Sequence, residues 1–271
     1  MSDQHVSAAL PPGVDLERPN AARVYDYLLG GSCNFEIDRA FGKNVEDVFP
    51  AAKQAALINR AFLRRAVHFL AESGVRQFLD LGSGVPTVGH SHEIAQRVDP
   101  SSTVVYVDIE PVAVAHSELI LQDNDRAAIV QADLRETDVV LGAPETVRML
   151  DFREPIGLLM VSVLPFVLDE HDPAGIIGRY ADALPPGSYL AVSHATLETP
   201  APVDSIVEMY KNTSTPATLR SREHIDALLR GWELVEPGLV YAPQWRPDSP
   251  EDVGDAPEYS ANFAAVGRKR P

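Results

Sequence analysis

The 271-residue chain has 23 lysines and arginines against 39 aspartates and glutamates, for a formal net charge of −16. That balance argues against wrapping nucleic acid or resting on an anionic membrane, both of which demand a basic surface; a hydrophobic content of 45% suits a globular chain with a full core. The single cysteine, Cys33, excludes internal disulfides and cysteine-based zinc sites, so no metal is expected, and it fits a reducing compartment.

The opening segment, MSDQHVSAALPPGVDLERP, is polar and proline-bearing. It has no basic n-region and no apolar h-region, so a signal peptide is not expected. No apolar run approaches the ~20 residues that span a bilayer, and a cytoplasmic protein is expected. Residues 1–18 read as a mobile tail. Asn20 is placed to cap a helix through Ala21, Val24, Tyr25 and Leu28, which Gly30-Gly31 stops. Helical patterns follow over Asp38–Val48 and Ala51–Ser73, with Gly74 as the C-terminal cap. Residues 19–74 are thus expected to form a helical cap, and 75–271 the main domain.

From Val75 the pattern alternates. Strands are expected at Gln77–Leu81, Thr103–Val107, Ala128–Gln131, Ile156–Val163 and Ser188–Ser193. Helices are expected at Gly89–Val98, Pro111–Gln122, near Glu145–Leu150 and at Ala174–Leu184. Such alternation is that of a doubly wound, mainly parallel α/β sheet. After a helix at Glu223–Arg230, strands at Trp232–Val235 and Ala261–Gly267 predict an antiparallel hairpin at the sheet edge, which makes seven strands. The connecting loop Pro243–Tyr259, rich in Pro, Asp and Glu, is expected to be exposed.

The stretch QFLDLGSGVP is a strand, a glycine turn and a helix start. Glycines admit positive φ and a close ligand, and Pro86 suits a first helical turn. A dinucleotide fingerprint needs a third glycine where Thr87 stands, and Gly89 comes two residues late. Asp80, two residues before Gly82, would repel a pyrophosphate but suits a cationic amino group. The D-x-G-x-G pattern, with Gly82, Ser83 and Gly84, resembles motif I of the class I S-adenosylmethionine-dependent methyltransferases. Asp108, beside Ile109, ends the second strand 24 residues beyond Gly84. There it can accept both hydroxyls of a ribose, or merely cap the next helix. The resemblance implies that Asp133 meets the exocyclic amine of adenine and the Leu134 N–H a ring nitrogen. It also implies that Ser162 to Phe166 line the pocket. The run Val163-Leu164-Pro165-Phe166 replaces the Asn/Asp-Pro-Pro-Tyr/Phe of amino-methyltransferases that act on bases or glutamine, which disfavours that activity. Phe166 covers the adenine or packs in the core. His194 ends the fifth strand where a general base would face the substrate, or is structural; His171 reads as a surface residue.

The runs AARVYDYLLGGSCNFEIDR, INRAFLRRAV, GVRQFLDLGSGVPT, VVYVDIEPVAVAH, QADLR and DPAGIIGRYADALPPGSYLAVSHAT resemble the S-adenosyl methyltransferase family formerly filed as a domain of unknown function, over about residues 20–270. The resemblance implies a class I, Rossmann-like fold that binds S-adenosylmethionine, and leaves the acceptor open. Where such proteins often carry a histidine after strand four, this chain has Pro165. In the N-terminal motif, Tyr25 and Tyr27 either cover the sulfonium by cation–π attraction or pack within the cap. Asn34 is a candidate for the methionine carboxylate or amine, and Arg60 for the carboxylate through bidentate pairing. The expected function is methyl transfer from S-adenosylmethionine to a small molecule, by a monomer or homodimer, with access between the cap and the loops after strands four and five. A base helps only a hydroxyl or protonated amine, and His194 or Tyr27 would supply it. The rivals are a non-catalytic S-adenosylmethionine sensor and a nicotinamide-dependent oxidoreductase, the latter opposed by Thr87.

Overall fold

A computed structural model describes residues 10–86 and 89–270; Thr87 lies outside them. The strands are β1 (Gln77–Leu81), β2 (Thr103–Asp108), β3 (Ala127–Gln131), β4 (Ile156–Val161), β5 (Tyr189–Ala195), β6 (Trp232–Leu234), β7 (Val240–Tyr241) and β8 (Asn262–Lys269). They form one sheet in the order β3-β2-β1-β4-β5-β8-β6, with the two-residue β7 also pairing with β8. The five strands β1–β5 are parallel, as expected. The terminal pair, β6 with β8, makes the expected antiparallel pairing at the sheet edge, and β7 brings the strands to eight where seven are expected. β8 slots between β5 and β6, antiparallel to both, with Ser193 opposite Ala264 and Leu234 opposite Gly267. β6 is therefore the edge and β8 is interior, which its buried run Phe263–Val266 requires.

The central strands are apolar on both faces, and each residue parity feeds a different core. Leu79, Leu81, Val105, Val107, Leu158 and Met160 face one layer, while Phe78, Val104, Tyr106 and Leu159 face the other. The first layer is covered by α6 (Thr137–Gly142), α8 (Pro173–Ala183) and α10 (Arg222–Leu228), the second by α3 (Ala52–Glu72) and α4 (Ser91–Val98). α5 (Pro111–Leu121) and α7 (Pro144–Met149) complete the crossovers. α1 (Ala21–Leu28) begins at Asn20, whose side chain accepts from the Ala22 N–H at 2.9 Å, the expected cap. α2 (Glu36–Val48) packs with the later α9 (Val203–Tyr210) into a small third core.

The Pro243–Tyr259 loop corrects a second expectation, because it is only partly exposed. Trp245 is fully buried, edge-on to Phe62 at 5.4 Å and to Phe69 at 5.8 Å between ring centres. Arg65 fixes the backbone there, donating to the carbonyls of Trp245 and Ala242 at 2.9 and 2.8 Å. Truncating such a buried aromatic typically costs about 3–5 kcal/mol. Among the described residues no helix is long and apolar enough to cross a membrane.

Candidate functional site

β1 delivers the chain into a turn that only glycines make cheaply. Gly82 and Gly84 sit at φ +67° and +66°. They face different surroundings. A Cβ on Gly82 would lie 2.1 Å from Val163 Cγ2, whereas one on Gly84 would meet nothing within 4 Å. Gly82 thus lets the segment after β4 approach, and Gly84 fronts open space. Asp108, at the end of β2, holds the turn from the other side: its carboxylate accepts from the Gly84 N–H at 2.7 Å and the Glu110 N–H at 2.9 Å. Burial raises its pKa against the pull of those hydrogen bonds.

The N-terminal segment closes over this corner. Arg23 is completely buried on α1; its Nε donates to Asp38 at 2.8 Å and its Nη1 to Glu110 at 2.9 Å. Its Nη2 donates to the carbonyls of Asp15 and Arg18, so residues 15–18 are fastened beside Asp108. Asp38 also accepts from the Asn20 and Phe35 N–H groups, at 3.0 and 2.9 Å.

Between this segment, the strand ends and α9 lies a cavity of about 830 Å³, within the range of small-molecule sites. Gly82, Ser83, Gly84, Asp108, Ile109, Asp133, Leu134, Ser162, Tyr25 and Arg60 all line it, so the structure brings most of the expected residues together. Asp133 is gripped by Arg135, whose Nη1 also meets His171 Nε2 at 3.0 Å; burial works against ionisation of Asp133, but the Arg135 hydrogen bonds prevail and hold its pKa below the usual value. Tyr25 donates to the Ala56 carbonyl at 3.1 Å and accepts from Asn59 Nδ2 at 2.8 Å, while Asn59 Oδ1 accepts from Ser193 Oγ. Burial pushes the Tyr25 phenol up. Ser162 holds φ +59°, a left-handed conformation that costs a side chain about 1–2 kcal/mol. Phe166 lines the cavity rather than lying sealed in the core, and its ring centre is 5.9 Å from that of Tyr210.

Four expected residues stand elsewhere. Asp80 lies behind the turn, accepting from Ser91 Oγ at 2.7 Å beside a second, very small cavity that shares Arg60, Ser83 and Gly84. Burial pushes its pKa up to about 6. Tyr27 turns away from the cavity: its hydroxyl donates to Glu46 at 2.8 Å and its ring packs on Gly42. Asn34 donates to Asp26 at 2.7 Å, closing the loop after α1. There Gly31 is required by contact, since a Cβ would sit 2.0 Å from the Asp26 carboxylate. His194 is fully buried, bonded through Nδ1 to the Ala195 carbonyl and through Nε2 to Arg220, each at 2.7 Å. Burial first, with Arg220 adding to it, brings its pKa down to about 3. Both ring nitrogens are engaged and neither reaches the cavity. Its neighbour Arg220 also donates to the carbonyls of Leu164 and Val167 and to Asp169, pinning the segment after β4.

Sequence reasoning missed Asn59, Glu110 and the α9 contributors Ile206 and Tyr210. Asn59 sits one residue before Arg60 in the long helical pattern, and its polarity on the buried face of that helix was the available signal. α9 gave none.

Comparison with known proteins follows the same outline. Residues 7–270 match the family described as S-adenosyl methyltransferase. The fold is similar to the crystal structure of a candidate methyltransferase from Thermobifida fusca YX, with 40% identity and a TM-score of 0.91, covering 98% of this chain and 100% of that one. It is also similar to a DUF574-family protein from Streptomyces avermitilis MA-4680, with 40% identity and a TM-score of 0.89, covering 93% of this chain and 98% of that one. Human N-acetylserotonin methyltransferase, solved in complex with S-adenosylmethionine, shares the fold at 15% identity and a TM-score of 0.51, covering 94% of this chain and 63% of that one. Among curated proteins, none matches the sequence.

Proposed function

The chain belongs to the S-adenosyl methyltransferase family, and from that membership we propose that it transfers the methyl group of S-adenosylmethionine to a small-molecule acceptor held in the cavity under its N-terminal segment. It is an S-adenosylmethionine-dependent methyltransferase with S-adenosylmethionine as cofactor.

The site residues fit that cofactor. Gly84 leaves open space beside the turn, Ser83 Oγ is buried without a hydrogen-bond partner, and two successive strands end in carboxylates that line the cavity. The juxtaposition of Asp108 and the Gly84 N–H at 2.7 Å carries the reading. The Asp108 carboxylate borders the cavity and has acceptor capacity beyond the backbone N–H groups that hold it, which suits the ribose hydroxyls. Asp133 and the Leu134 N–H suit the adenine edge. Tyr25, steadied by Asn59, and Arg60 suit the methionyl end. When bound, the cofactor supplies a methyl group already activated on a sulfonium. The protein's own work is then to orient the acceptor and exclude water. His194 is not used as a base in this reading, because its pKa of about 3 and its two hydrogen bonds remove it from the reaction. Residues 19–74 act as the cap, and the lone cysteine accords with a cytoplasmic location.

The test is calorimetric titration with S-adenosylhomocysteine of the whole chain and of Asp108→Ala, with circular dichroism to check folding. Losing hydrogen bonds to a charged acceptor should weaken binding about ten- to hundredfold. A folded wild-type chain that binds neither S-adenosylhomocysteine nor S-adenosylmethionine overturns the proposal.

A further inference from the structure

The order of the strands divides the cavity in two. β2 and β3 end on one side with Asp108, Glu110, Asp133 and Arg135. The other charged wall residues belong to that side as well. Asp15 and Arg18 are fastened there through Arg23 to Glu110, His171 leans on Arg135, and Arg60 borders the small cavity behind the glycine turn.

β4, β5 and β8 border the other side, where Ala195 and Asn262 reach the cavity. Its walls come from α2, the start of α3, α9 and the segment after β4. Val45, Phe49, Ala52 and Ala55 form one apolar cluster with Val203 and Ile206 packed on it. Tyr210 joins that cluster to the mouth of the site, with Phe41 edge-on at 5.1 Å and Phe166 at 5.9 Å. Among the described residues that line this half, none carries a charge. The Tyr210 phenol is half-buried in the cavity wall, and burial pushes its pKa up to about 12, so near neutral pH it offers a neutral hydroxyl.

We infer that this half takes an uncharged, largely apolar acceptor of aromatic character. A carboxylate, phosphate or ammonium placed here would be stripped of water and meet no opposite charge, whereas an apolar ring gains the burial of its own surface and that of Phe49, Phe166 and Ile206. The tilted Phe166 and Tyr210 rings suit the edge or face of a flat partner. The inference rests on the methyltransferase reading for the word acceptor; the chemistry of the half-cavity stands on the lining alone.

The experiment uses three fluorescent probes of one size on the whole chain, with and without S-adenosylhomocysteine: neutral 2-naphthol, anionic 2-naphthoate and cationic 2-naphthylmethylamine, all at pH 7. The expected result is that 2-naphthol binds at least about tenfold more tightly than either charged probe. Ile206→Asp, which places a carboxylate on the wall, should abolish 2-naphthol binding while S-adenosylhomocysteine binds as before. If that variant fails to fold, Val203→Lys serves the same purpose. A charged probe binding as tightly as 2-naphthol, 2-naphthol binding indifferent to the wall charge, or no 2-naphthol binding up to its solubility limit overturns the inference. Loss of S-adenosylhomocysteine binding with the 2-naphthol preference intact overturns the methyltransferase reading instead.

Discussion

Arg23 Nη1 stands 2.9 Å from Glu110 Oε1, and both side chains are shut away from solvent. This pair ties α1 to the segment between β2 and α5. Arg23→Met leaves Asp38 and Glu110 as buried carboxylates with no cation between them. The expected loss is about 3–5 kcal/mol in urea unfolding, because a buried charge deprived of its partner costs more than the pair itself contributes. Adding Asp38→Asn and Glu110→Gln should recover much of that loss. If the single variant unfolds at the wild-type urea midpoint, the pair does not have this role.

The two glycines of the turn should fail differently. Gly82→Ala drives a methyl group into Val163 and should cost the fold, read as a lowered melting temperature. Gly84→Ala has room within the protein but projects into the cavity from a left-handed backbone. It should stay folded, lose about 1–2 kcal/mol of stability to backbone strain, and lose S-adenosylhomocysteine binding. Equal binding by Gly84→Ala and wild type would contradict the position assigned to the cofactor.

Acid stability should reflect two opposing sets of buried groups. His194 and His92 have native pKa values lowered to about 3 and about 4 from 6.5. Their contribution is therefore present above pH 6.5 and is lost as pH falls toward those values, because only the unfolded chain takes up protons there. Asp80 runs the other way. Its native pKa is raised to about 6 from 3.8, so its contribution is full below pH 3.8 and is lost as pH rises through 6. Asp80→Asn should thus be more stable than wild type by roughly 1–3 kcal/mol at pH 8, with the gain gone near pH 4. Urea midpoints at the two pH values decide it. A gain that does not depend on pH means that ionisation is not the cause.

Two tyrosines two residues apart should part company. Tyr27→Phe removes only the hydrogen bond to Glu46, and S-adenosylhomocysteine should bind it like wild type. Tyr25→Phe strips Asn59 of an acceptor and the Ala56 carbonyl of a donor at the cavity wall. Its binding should fall about tenfold. The reverse pattern would return Tyr27 to the site.

The sheet was legible because its strands obey local rules. β1 is read residue for residue from an apolar run stopped by glycines, and the helices before it from their periodicity and Asn20 cap. α9 was not legible: eight residues behind Pro200 and Pro202 carry little helix signal, and packing against α2 is what holds them. The pairing of β6 with β8 at the sheet edge is legible as well, but not which of the two lies outermost, since nothing local tells an edge from an interior strand. Within the site, strand-end carboxylates follow from topology, so Asp108 and Asp133 could be read. Rotation about a helix axis could not. Tyr25 and Tyr27 look equivalent in sequence, yet one faces the cavity and the other Glu46 and Gly42. His194 looked reactive at its strand end because its partner Arg220 lies in a remote segment.

The interior position of β8 also sets an order of assembly. Ser193 and Ala264 are sheet neighbours, yet α9, α10, β6 and β7 all lie between them in the chain. The parallel strands β1–β4 can register with one another through short crossovers, while β8 must close a long loop before it finds β5. We expect the rim holding Asp108 to take shape before the rim holding Asn262. Pulse-labelled hydrogen exchange during refolding should show amides of β1 and β2 protected ahead of those of β8; simultaneous protection would mean a single cooperative step. A chain synthesised from its N-terminus would then pass through a stage with a floor under only half its cavity.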